Sequence, residues 1–156
     1  MNMIKILGIG SPFGDDQAGW KVAEALKQHL SQHTDIFPFI HIESHDRPGA
    51  HLIELMKGFN TVFIIDAIKS GRETGTIHRF QEENIWEFES TLSSHDISIL
   101  QALQLASALN ELPDNIQFYG IEIDNIVLDS ILSQPVETAI KNLVFQLKRE
   151  IIETVK

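Results

Sequence analysis

The stretch TVFII, residues 61–65, is β-branched or aromatic at every position. A strand wetted on one face alternates apolar with polar side chains, so an unbroken run belongs to a strand covered on both faces. Such a strand needs helices above and below it, which implies a mostly parallel sheet. The rest of the chain supplies both parts. Residues 4–9 form a second nearly continuous apolar run, closed by glycines, and residues 116–123 (IQFYGIEI) a third. Residues 37–42 (FPFIHI) read as a further strand, with Pro38 at its beginning or on an edge. Residues 75–80 (GTIHRF) alternate behind a glycine turn, the pattern of a sheet-edge strand.

Helical spacing fills the intervals. Ala18, Val22, Ala25, Leu26 and Leu30 recur on one face, and Asp15 or Asp16 is placed to cap or charge that helix start. Residues 50–56 predict a short helix left at Gly58, and residues 97–109, apolar on more than one face, a mostly buried one. Val136, Ile140, Leu143, Val144, Leu147 and Ile151 form one stripe of a long amphipathic helix. The expected fold is therefore α/β: a three-layer α/β/α sandwich with a twisted, mostly parallel sheet of about five strands. A single domain over residues 1–156 suits this length. Ligands of such sheets bind at the carboxyl ends of the strands.

Charge and composition narrow the function classes. A formal net charge of −10 argues against a nucleic-acid partner, whose binding surface must be basic. The absence of cysteine excludes disulfides, thiolate metal sites and a cysteine nucleophile. No window approaches the roughly 18 apolar residues of a membrane span. MNMIKILGIG lacks a cleavable small-residue site and reads as a strand, so a cytoplasmic protein is expected, with no membrane partner. A monomer is the expected state.

Acid and imidazole groups stand where strands end or helices begin. They are Asp15 and Asp16 after the first strand, Asp66 after TVFII, and His95 in SSHDIS before the buried helix. Each has an ordinary structural explanation: a helix cap, a turn residue, a helix first turn. Together, Asp16, Asp66 and His95 make an O/O/N ligand set suited to Zn, Ni, Mn or Fe, with positions left open for water or substrate. The loop GIGSPFGDDQAGW, residues 8–20, points the same way. It misses the GxGxxG spacing, contains Pro12 with no N–H, and delivers two anions to a helix start that a phosphate would need. Its glycines suit a tight turn that presents Asp16 to a cation.

GIGSPFGDDQAG resembles the GxGNPxxxDDGxG opening of the [NiFe]-hydrogenase maturation endopeptidases. IIDAIKSGRETGTIHRF is similar to that family's strand–Asp–Ala segment with its following Gly-Thr strand. SSHDISILQALQLA resembles its Ser-x-His segment, and YGIEIDNI its late Gly-Ile-Glu-Pro segment. The ordered match runs over roughly residues 4–145. The resemblance implies a phosphorylase/hydrolase-like three-layer fold and a hydrolase of the aspartyl-type endopeptidase kind. Its partner would be the hydrogenase large-subunit precursor, whose C-terminal extension it would trim after nickel insertion. By matching motif, Asp16, Asp66 and His95 would be both the catalytic and the metal-contacting residues. Nickel would be delivered by the substrate, with Zn or another divalent metal able to substitute.

The chain departs from the family pattern where Asp-Gly-Gly-Thr-x-Gly is usual. Residues 43–51 read ESHDRPGAH, placing His45, Asp46, Arg47 and His51 where they can alter metal or peptide contacts. Ser11 replaces the usual Asn, Gln17 the usual Gly, and IEIDNI lacks the usual proline. Two other readings accommodate the same residues: a related metallopeptidase with another substrate, and a non-catalytic metal-dependent binding or chaperone module. Phe13, Trp20 and Trp86 are candidate partner contacts, since aromatics anchor interfaces. His29 and His33 lie on a polar helix end and are expected to be solvated.

Overall fold

The apolar runs at residues 4–9 and 61–65 pair side by side at the centre of one sheet. The computed structural model describes residues 2–82, 97–126 and 128–156. Its strands are β1 (Ile4–Gly10), β2 (Ile40–Asp46), β3 (Thr61–Ile68), β4 (Ile77–Gln81) and β5 (Asn115–Glu122), in the order β2-β1-β3-β5-β4. β1, β2, β3 and β5 are parallel, and β4 closes one edge antiparallel to β5. Every residue of β1 and β3 is buried, as unbroken apolar runs require.

Side-chain alternation divides the core into two layers. Ile4, Ile6, Phe63, Ile65, Tyr119 and Ile121 face α1 (Ala18–Leu30) and α4 (Gln134–Val155). Leu7, Ile9, Val62, Ile64, Ile116 and Phe118 face α2 (Leu52–Met56) and α3 (Ile97–Ala108). The three-layer α/β/α sandwich is what the alternation of elements predicts. No helix among the described residues is long and apolar enough to cross a membrane.

Several details differ from the sequence reading. The second strand begins at Ile40 and runs to Asp46, because Phe37–Phe39 forms a 3-10 turn around Pro38. β3 continues past TVFII to Ile68, since β5 pairs with it as far as Ile68↔Glu122. Asp66 is therefore a strand residue, opposite Gly120, and not a turn residue after the strand. α3 is buried along one stripe (Leu100, Leu103, Ala106), while Leu105 and Leu109 remain exposed.

The strand order creates a switch point. From β1 the chain passes through α1 to β2 on one side, then returns to β3 on the other side of β1. Adjacent crossovers leaving in opposite directions open a crevice at the carboxyl ends of β1 and β3.

Candidate active site

The loop after β1 is short and folds back on the strand it leaves. Ser11 N–H donates to the Asp16 carbonyl at 3.2 Å, and Asp16 N–H to that of Phe13 at 3.0 Å. A Cβ at Gly10 would lie 2.2 Å from the Asp16 carbonyl oxygen, so only glycine permits this return. Gly14, at φ 49, supplies the left-handed residue that starts the 3-10 turn Gly14–Gln17. The turn leaves Asp16, 4% exposed, just beyond the carboxyl end of β1.

Adjacent Asp15 and Asp16 have different work. Neither makes a capping hydrogen bond, but both stand in the first turn of the 3-10 segment, where their charge suits the helix start as the sequence leads one to expect. Asp15 reaches across the chain to Ser133, accepting from its N–H and its hydroxyl at 2.7 Å each. Gly14 N–H donates to the Asp129 carbonyl and the Gln17 amide to that of Ser130. These three residues thereby fix the segment that enters α4, whose N-cap is Ser133. Asp15→Ala removes both charge-assisted bonds and is expected to cost about 2 kcal/mol, read as a lower urea midpoint with unchanged m. An unchanged midpoint would dismiss Asp15 as the anchor of α4.

Asp16 turns to other partners. Its Oδ2 accepts the Ser11 hydroxyl at 2.5 Å and lies 3.5 Å from an Arg47 guanidinium nitrogen. Both contacts use Oδ2. Arg47 follows the end of β2, which is held to α1 by the Trp20 indole N–H donating to the His45 carbonyl at 2.9 Å. The Glu43 carboxyl on β2 is held below its usual range: burial pushes it up, but hydrogen bonds and charge from Lys5 and His45 outweigh that.

Asp66, 7% exposed, lies on β3 across the switch point. It shares its side of the sheet with Ile64 and Ile68, facing the α2–α3 layer. One of its oxygens accepts the Ala67 N–H at 2.8 Å. On the same side, Glu122 at the end of β5 is 1% exposed and accepts the Ser70 N–H and hydroxyl, with the His78 ring at 3.0 Å. This buried carboxylate fixes the segment leaving β3 against β4 and β5. The sequence reading passes over it because a Glu in IQFYGIEI looks like an ordinary strand-end residue. Its one signal is a charge inside an otherwise buried strand.

Of the three expected site residues, Asp16 follows the carboxyl end of β1 and Asp66 lies near that of its neighbour β3. His95 lies outside the described residues. Among the described residues, no group of three or more His, Asp or Glu side chains is arranged to hold a metal ion. Asp16 and Asp66 are buried carboxylates, a donor type that hard divalent cations accept. Phe13 is 44% exposed beside them and Trp20 half-buried, whereas Trp86 falls outside the described residues. His29 is exposed, as expected of a polar helix end, and His33 is half-buried.

The family model HycI, described as hydrogenase maturation protease, matches residues 47–150, well over half the chain. The chain belongs to the hydrogenase maturation protease family. The matched span of this family member contains Asp66 and His95; Asp16 precedes it. Hydrogenase expression/formation protein HupD of Thiocapsa roseopersicina is 23% identical over 122 residues, covering 76% of this chain and 53% of HupD. The chain thus spans about half the length of that relative. Among solved structures, the hydrogenase maturating endopeptidase HybD from E. coli superposes with a TM-score of 0.80 at 23% identity, over 99% of this chain and 94% of HybD. The [NiFe] hydrogenase maturation protease HybD from Thermococcus kodakarensis gives 0.73 at 25% identity, over 96% and 98% of the respective chains. These likenesses extend the shared fold over nearly the whole of this family member.

Proposed function

We propose that this protein is a cytoplasmic endopeptidase that removes a C-terminal extension from a nickel-loaded [NiFe]-hydrogenase large-subunit precursor. The observation that carries the reading is the pair of buried carboxylates, Asp16 and Asp66, at the β1/β3 switch point of a chain in this family. Nickel belongs to the substrate in this proposal, and Zn or another divalent ion can take its place. Asp16 and Asp66 offer carboxylate oxygens to that ion, and His95 is assigned as the nitrogen donor. The bound ion supplies charge stabilisation where the peptide carbonyl develops negative charge. The chain's own residues orient the substrate around it. Ser11 fixes the Asp16 carboxylate through Oδ2, and the Glu122–Ser70–His78 contacts hold the backbone that leaves Asp66.

The test is mass spectrometry of a cognate precursor, nickel-loaded and nickel-free, after incubation with the protein. The expected result is loss of a C-terminal peptide from the loaded form alone. If a folded protein cleaves neither form, a binding-only module or a peptidase for another substrate replaces this reading.

A further inference from the structure

Arg47 is the one residue of the altered β2 loop that touches a site carboxylate. It also has an unusual backbone. Its φ is 45, and it precedes Pro48. Non-glycine residues avoid the left-handed region, and a following proline restricts the backbone further. A strained residue beside a buried carboxylate is where a functional constraint is expected. The strain turns the chain so that a side chain from the end of β2 reaches the loop after β1.

The charges explain what the contact does. The Asp16 side chain is 5% exposed, and a buried carboxylate requires a counter-charge. Among the described residues, Arg47 is the cation within 4 Å that supplies it. The guanidinium brings a positive charge on a planar fork of donors. Its contact is long, 3.5 Å to Oδ2, and its side chain is 56% exposed, so it can leave without disturbing the core. A divalent cation arriving alone at Asp16 meets this fixed positive charge. A substrate peptide brings acceptor oxygens for which guanidinium is a strong partner.

We propose that Arg47 is the resident counter-cation of Asp16, holding free divalent cations off the site and yielding to the acceptor oxygens of an incoming peptide. The inference rests on Asp16 as a metal-contacting residue and adds a selectivity device to it: cations presented by a substrate are admitted, and free ones are disfavoured. A unit charge a few ångströms from a dication lowers its affinity by roughly tenfold or more, even at the dielectric constant of water.

The experiment is calorimetric titration of the protein with Zn²⁺ alone. The proteins are wild type, Arg47→Gln and Arg47→Lys, each with and without Asp16→Asn, with circular dichroism to verify the fold. Arg47→Gln is expected to bind at least tenfold more tightly than wild type, and Arg47→Lys within about threefold of wild type. Asp16→Asn should abolish the gain. Equal affinity in wild type and Arg47→Gln, with Asp16→Asn still abolishing binding, overturns the role of Arg47 and leaves the metal-contacting reading of Asp16 intact. A gain in Arg47→Gln that survives Asp16→Asn places the ion elsewhere and overturns both. A purely structural ion pair would lower the melting temperature of Arg47→Gln and leave Zn²⁺ affinity unmoved.

Discussion

Asp16→Asn and Asp66→Asn are each expected to leave a nickel-loaded large-subunit precursor essentially uncut, with cleavage slowed by roughly 10³-fold or more. The same result is expected of His95→Ala. Asparagine keeps the size of aspartate and one carbonyl oxygen, so the Ala67 N–H still has its acceptor in the β3 variant. In the Asp16 variant the Ser11 hydroxyl retains an oxygen to donate to. What disappears is the negative charge and the second oxygen of equal basicity. The lost ion pair with Arg47 involves a largely exposed partner and is worth about 0–1 kcal/mol. Both aspartate variants should therefore fold normally and fail in catalysis. Asp15→Ala makes the contrast, because its carboxylate holds Ser133 and not the crevice: stability falls while cleavage by the folded fraction survives. The comparison is made with one precursor, following the released peptide by mass spectrometry and the fold by circular dichroism. Cleavage within tenfold of wild type in either asparagine variant would remove that residue from the catalytic assignment.

The contrast between Asp15 and Asp16 also marks what a sequence can convey. Both stand at a helix start, and local chemistry gives both the same part, a cap or a charge for the dipole. Their fates are separated by partners far away in the chain, Ser133 for one and Arg47 for the other. No periodicity reports such a pairing. The buried strands were legible because burial on both faces leaves an unbroken apolar run, as in residues 61–65. β2 was displaced because an edge strand carries polar residues, and IHIESHD has little to distinguish its end from a loop. The extension of β3 through Asp66 depends on pairing with β5, some fifty residues later. Strand order depends wholly on such pairings. With it comes the switch point that makes a common crevice of residues far apart in sequence. Arg47 was visible as a departure from the family loop, but its reach to Asp16 depends on a left-handed backbone that residue type argues against.

The crevice exists only while α1 lies tightly against the sheet, and Gly19→Ala is expected to show how tightly. Gly19 is in the first turn of α1, directly over β1 and β3. A Cβ there would stand 2.2 Å from the Ile9 carbonyl oxygen and 2.5 Å from that of Ile65. Both obstacles are backbone atoms of the two central strands, so no rotamer change relieves them. Gly8 faces the same contact from the strand side, its added Cβ falling 2.4 Å from the Gly19 carbonyl oxygen. The helix must lift or the strands must part, at a cost of about 3 kcal/mol, the upper part of the range for overpacking a core. For a chain of this length that corresponds to a melting temperature lowered by roughly 6–12 °C. Gly58→Ala supplies the control: φ is +86 there and nothing lies within 4 Å, so the cost is conformational strain alone, about 1 kcal/mol. Because α1 follows the Asp16 turn directly, lifting it also moves Asp16 relative to Asp66, and cleavage should fall in the folded fraction of the Gly19 variant but not in that of the Gly58 variant. A Gly19→Ala protein melting within 2 °C of wild type would mean that α1 does not sit on β1 and β3 at this distance, and the placement of Asp16 beside Asp66 would fall with it.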